Sequence, residues 1–205
     1  MKKLLATTVG LLVCGSAFAN HDIGVAYVNF DSYVNSNSCQ VDNVSQTISL
    51  PSTSEAKLNP TPLLPNDPAV AGTASKTAFD LKLKNCPIGG FKKSDGTSVH
   101  DIAVFISDRN EALSSSDLRS KGLLVNSAQS SKAGNVYVQL LKDNNALPLQ
   151  TELEETDTSF VIGQNATTNG GNITIPLVAQ LYSPSGVDAT AGKVEAAATV
   201  FFQYK

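Results

Sequence analysis

Apolar and polar residues alternate along one short segment after another in this chain. Phe79, Leu81 and Leu83 are interleaved with Asp80, Lys82 and Lys84. Ile102, Val104 and Ile106 form a second such run, Val136, Val138 and Leu140 a third, and Ile173, Ile175 and Leu177 a fourth. A period of two sends side chains to opposite faces of an extended strand, so each run predicts a strand with one face inward. Turn formers separate the runs: Gly89-Gly90, Asp95-Gly96, Asp143-Asn144-Asn145, Asn169-Gly170-Gly171 and Pro184-Ser185-Gly186. Many short strands so punctuated predict an all-β, antiparallel sandwich or barrel. Residues 51–75 break the pattern with five of the nine prolines. Proline cannot donate to a ladder, so this stretch reads as a loop or irregular edge. The run Ser114-Ser115-Ser116-Asp117-Leu118 can cap a short helical turn.

The amino terminus reads as an export signal over residues 1–19. Lys2 and Lys3 supply positive charge, Leu4 to Val13 an apolar stretch too short to span a bilayer, and Ala17-Phe18-Ala19 a cleavage site. Cys14 lies inside this segment behind Val13, where a lipoprotein signal requires a small residue. Cleavage after Ala19 reduces 205 residues to 186, three cysteines to two, and a net charge of −3 to −5. In an exported chain the remaining pair, Cys39 and Cys86, is expected to form a disulfide. No later stretch is apolar enough for a transmembrane segment, and the mild acidity argues against nucleic acid as a partner.

The carboxyl-terminal segment is the most informative. Val194, Ala196, Ala198, Val200, Phe202 and Tyr204 share one face, against mostly polar odd positions. Twelve alternating residues make a long strand. The alanines bring little volume, so something must fill the space beside them or the core is underpacked. A second alternating segment begins just after the cleavage site, with Ala26, Val28, Phe30, Ser32 and Val34 on one face. A free strand at one end and an underfilled strand at the other allow copies to pair head to tail.

At this point the residues resemble the pilin subunits of the chaperone–usher (type 1-like fimbrial) family. Gly192 is fourteenth from the end and Tyr204 penultimate, similar to that family's terminal signature. Ile175 to Tyr182 is similar to its closing segments, Phe79 to Cys86 to its second-cysteine strand, and Val28 to Val34 to its donor strand. The resemblance implies an incomplete immunoglobulin-like sandwich lacking its last strand, completed by a donated strand. It implies three parts: a signal peptide over 1–19, a donor-strand extension over 20–34, and a pilin domain over 35–205. Gly192, Val194, Ala196, Ala198, Val200, Phe202 and Tyr204 are then expected to line the acceptor groove, which also binds the chaperone. Ala26, Val28, Phe30, Ser32 and Val34 are expected as the donated face. Ser32 stands where family members usually have glycine, and its hydroxyl needs a partner.

The partners implied are a periplasmic chaperone, an outer-membrane usher and neighbouring pilin subunits. The destination implied is a cell-surface fimbrium, reached through the periplasm and serving adhesion. No catalytic motif, metal site or cofactor site is expected. There is no G-x-S-x-G, H-E-x-x-H or P-loop. His21 and His100 have no ligand spacing with the cysteines, and the acidic run Glu152, Glu154, Glu155 and Asp157 lacks that of a calcium loop. The alternative is a self-contained secreted sandwich that binds carbohydrate or protein. A tip adhesin is disfavoured, because 186 residues are expected to hold one domain.

Overall fold

The computed structural model describes residues 22–23, 26–34, 40–42, 44–59, 71–86, 102–110, 113–150, 160–162 and 171–204. Its strands are β1 (Asp22–Ile23), β2 (Ala26–Val34), β3 (Gln40–Val41), β4 (Ser45–Leu50), β5 (Thr53–Ser54), β6 (Gly72–Cys86), β7 (Ile102–Asp108), β8 (Leu123–Leu124), β9 (Tyr137–Lys142), β10 (Asn145–Ala146), β11 (Phe160–Ile162), β12 (Gly171–Ser183) and β13 (Val194–Tyr204). Two short helices join them, α1 (Glu55–Leu58) and α2 (Ser116–Ser120). One sheet runs β10-β9-β12-β6-β3, with β8 also on β9; the other runs β11-β7-β13-β2-β4. A small third sheet pairs β1 with β5. The two large sheets enclose one core, in an immunoglobulin-like sandwich.

The alternating runs lie in β6, β7, β9, β12 and β13, with Val136 of the third run one residue ahead of β9. Their apolar positions enter the core: Phe79, Leu81 and Leu83 from β6 meet Ile173, Ile175 and Leu177 from β12, with Ile102, Val104 and Ile106 on the facing sheet. The turn expected around Asp143 closes the β9–β10 hairpin. Lys142 pairs with Asn145, leaving a two-residue loop in which Asp143 and Asn144 both have positive φ. Such a loop matches the twist of the flanking strands, and Asp and Asn tolerate that backbone better than most residues. The serine run behaves as read: Ser115 caps α2, its hydroxyl accepting from the Leu118 amide at 3.3 Å.

Two expectations need correction. Part of the proline-rich stretch is ordered secondary structure, because Thr53–Ser54 forms β5, α1 follows, and β6 already begins at Gly72. Here α1 rests on the first residue of β6. A Cβ at Gly72 would lie 2.0 Å from the Leu58 carbonyl oxygen, so only glycine lets the two backbones approach this closely. The prolines at 60, 62, 65 and 68 lie outside the described residues. The second correction concerns direction. The sandwich is not wholly antiparallel: β2 runs parallel to β13.

Candidate functional site

The strand β2 occupies the slot between β13 and β4. Along one edge it pairs in parallel with β13, Ala26 opposite Val194 through Val34 opposite Phe202. Along the other it pairs antiparallel with β4, Ala26 opposite Leu50 through Asp31 opposite Ser45. Removing β2 would leave two unpaired strand edges about 10 Å apart, twice the usual spacing. The amino-terminal strand therefore completes the sandwich of its own chain.

The register explains the small residues of β13. Val28 lies opposite Ala196, and Phe30 opposite Ala198. All four are buried, and the Phe30 ring packs on that of Phe79 with centroids 4.8 Å apart at a tilt of 31°. The volume that the alanines omit is supplied by Phe30 and Val28. Burying these two side chains contributes about 3–6 kcal/mol before the cost of ordering the segment. Ala26 is also buried, as are Val194, Val200 and Phe202. Ser32 and Val34 lie opposite Val200 and Phe202 through the backbone, and Tyr204 pairs with Ile102. The side chains of Ser32, Val34 and Tyr204 are outside the description. On the outer face Tyr27 is 44% exposed, and the Asn29 carboxamide oxygen accepts from the Thr47 hydroxyl at 2.8 Å.

A loop clamps the start of β13. Gly192 has φ +152, and a Cβ there would stand 2.5 Å from both the Ala133 nitrogen and the Ser131 oxygen. This close crossing lets the Lys193 amide donate to Ser131 at 2.7 Å and the Ala133 amide to Lys193 at 2.9 Å. Asn126, buried nearby, ties the crossing together. Its amide donates to the carbonyls of Ala133 (3.1 Å) and Lys193 (2.9 Å), and its oxygen accepts from the amides of Ala128 (3.1 Å) and Glu195 (3.0 Å). Every hydrogen-bonding capacity of that side chain is used.

Asp108, the last residue of β7, lies opposite Ala198 and aims this loop. Its buried carboxylate accepts from the amides of Asn110 (2.9 Å) and Val125 (2.8 Å). Burial pushes its pKa above the ordinary 3.8, and the bonds from Val125 and Asn110 oppose the shift without cancelling it. The folded state then holds this proton more tightly than the unfolded chain. Its stabilisation is full below 3.8 and is lost as pH rises through the raised value. In urea denaturation, stability is expected to fall as pH climbs through the acidic range just above 3.8. Asp108→Asn is expected to remove that slope; an unchanged slope in the variant would refute the assignment.

Two residues of this site escape sequence reading. Ile23 is fully buried where β1 meets β5, but it is three positions from Ala26 and so out of phase with the alternation of β2. Asn126 follows the apolar run Leu123-Leu124-Val125; its polarity at the end of that run is the one available signal. Several expected features lie outside the described residues: the export signal over 1–19, Cys39, His21, His100 and the acidic run at 152–157. Cys86 ends β6, and Gln40, next to Cys39 in the chain, pairs with Lys84. Among the described residues no group of three or more His, Cys, Asp or Glu could hold a metal, and no helix is long and apolar enough to cross a membrane.

Comparison with known proteins finds a family model described as fimbrial protein that matches residues 28–205. Among solved structures, the crystal structure of the P pilus rod subunit PapA is similar, with a TM-score of 0.58 at 14% identity. That match covers 82% of this chain and 100% of the other. No curated protein matches.

Proposed function

The chain belongs to the fimbrial protein family, and from that premise we propose that it is a structural subunit of a surface pilus, polymerised by donating β2 to the groove of a neighbouring copy. The observation that supports this reading most is the fit of Val28 and Phe30 beside Ala196 and Ala198. A strand that fits this slot in one copy fits it in the next, and strand addition to an open sheet edge is an established mode of recognition. Complementation of pilins by a chaperone strand is a known instance of that mode, so only the assignment of parts is particular to this chain. Under this reading the role is mechanical and not catalytic. Residues 1–19 direct export, residues 20–34 are the donor extension, and residues 35–205 are the pilin domain. A periplasmic chaperone holds the groove open for exchange, an outer-membrane usher is the place of exchange, and the fibre supports adhesion.

We also assign a Cys39–Cys86 disulfide, whose 47-position loop is worth about 4 kcal/mol by chain-entropy arithmetic. Thiol titration of the mature, unreduced chain is expected to find none free; two free thiols would refute the bridge. The polymerisation reading is tested by deleting residues 20–30 and isolating surface fibres. The truncated subunit is expected to accept a strand but to donate none, so it occurs only at fibre ends. Normal incorporation at internal positions would overturn the donor assignment.

One observation favours a second reading, a self-contained secreted binding module: the seated strand completes the fold within one chain. A purified mature chain that stays monomeric and never takes up a synthetic peptide of residues 20–34 would favour that reading.

A further inference from the structure

The connection between β8 and β9, residues 125–136, folds back on itself around an open cleft of about 330 Å³. Sites for small ligands start at this size. Val125, Ala133 and Val136 give the cleft apolar lining, and Lys132, Asn135 and Tyr137 give it polar groups. Its walls are held by bonds of their own. The Asn126 side chain ties one wall to the Ala133 carbonyl. Gly134 is fastened to Thr190 twice: its amide donates to the Thr190 hydroxyl at 2.9 Å, and its carbonyl accepts from the Thr190 amide at 3.0 Å. The Asn135 amide donates to the Asp188 carbonyl at 2.9 Å. A cleft so braced is formed before any ligand arrives, which lowers the ordering cost of binding.

The polar groups of the cleft keep capacity to spare. Lys132 lies opposite Lys193 in a parallel bridge. Each precedes a buried residue, Ala133 or Val194, so both lysines project to the outer side. Like charges set side by side repel each other. Among the described residues neither lysine joins an ion pair, and Glu195, two positions along the same face, bridges to neither. The Asn135 carboxamide oxygen and the Tyr137 hydroxyl have no hydrogen-bond partner among the described residues. Tyr137 is half-buried, and Tyr182, likewise half-buried, lies opposite it on β12, continuing the aromatic surface beyond the cleft. We propose that this cleft binds an acidic saccharide, a sugar ring that carries a carboxylate. The lysine pair neutralises the carboxylate, the Tyr137 ring takes the apolar face of the sugar, and the Asn135 oxygen accepts from a sugar hydroxyl. Phosphate fits less well, because the described lining offers neither an arginine fork nor a helix N-terminus. No residue of the site belongs to β2 or β4, so this binding does not depend on strand donation.

The test is an NMR titration of the purified mature chain with N-acetylneuraminic acid, glucuronic acid and uncharged methyl glucoside. Both acids are expected to shift the amides of residues 132–137, and the glucoside to bind at least about tenfold more weakly. Added salt is expected to weaken the acids. Lys132→Gln is expected to lower affinity for the acids about tenfold, as the loss of a charge-assisted hydrogen bond does, and adding Lys193→Gln to lower it further. Tyr137→Leu is expected to weaken all three sugars. Urea midpoints of the variants, set against wild type, separate lost binding from lost folding. No shift with either acid at about 10 mM, equal affinity for the glucoside, or unchanged affinity in folded Lys132→Gln would each overturn the proposal. Tighter binding of a peptide of residues 151–159, which carries the acidic run, would also overturn it and mark the cleft as a contact between copies.

Discussion

Ala198→Asp is expected to leave no stably folded subunit. Ala198 is fully buried at the centre of β13, between Phe30 on one side and Asp108 on the other. A carboxylate there meets no donor positioned for it, and it lies opposite a second buried carboxylate. Burying an unpaired charge costs several kcal/mol, comparable with the whole stability of a small domain. Phe30 also loses the space that the alanine leaves, so no strand, whatever its source, can seat in this register. The measurement is the yield of soluble, protease-resistant subunit. Ala197→Asp is the control, since its side chain points to the opposite, partly exposed face. It is expected to fold with a change within about 1 kcal/mol. Equal yields from the two variants would remove Ala198 from the groove.

The second large effect is expected at Gly192. In Gly192→Val, the first added carbon already stands 2.5 Å from two backbone atoms of residues 131 and 133, which cannot swing aside as a side chain could. The clamp must open, and opening it breaks the Lys193–Ser131 and Ala133–Lys193 bonds and the Asn126 contacts to Ala133 and Lys193. Leaving the buried groups of Ala133 and Asn126 unpaired at about 1–3 kcal/mol each, with the clash itself added, predicts a loss of about 3 kcal/mol or more. Gly186→Ala separates this steric effect from backbone strain. Gly186 has φ +79 but nothing within 4 Å of a Cβ, so the alanine is expected to cost only about 1 kcal/mol. Urea midpoints of the two variants check both. A Gly192→Val protein as stable as Gly186→Ala would show that the crossing yields without cost.

Alternation made the strands and their inward faces legible. Phe79, Leu81 and Leu83, or Ile173, Ile175 and Leu177, announce a buried face whichever strand lies alongside. The alanines at 196 and 198 announced missing volume, and β2 supplies it. A period of two, however, carries a face and not a partner or a direction. It could not tell that β2 fills the slot of its own chain, because that depends on which strand edges the folded sheets leave side by side. Ile23 was hidden by its phase. Helix α1 was hidden by surrounding prolines, although only four residues, Glu55–Leu58, had to escape them. The clamp on β13 was hidden because it is a backbone crossing. Gly192 and Asn126 are 66 positions apart and meet only once the sheets have formed.

The outward half of β2 has an immunological consequence. Tyr27 and Asn29 lie on the surface beside Thr47 of β4, and with β2 seated in its own chain all three belong to one chain. In a fibre joined by strand donation, as proposed above, the same patch would be stitched from two chains. Under the proposed strand donation, serum raised against purified monomer would recognise a surface that the fibre does not display. An immunogen chosen to mark fibres should carry the joined form, not the solitary one.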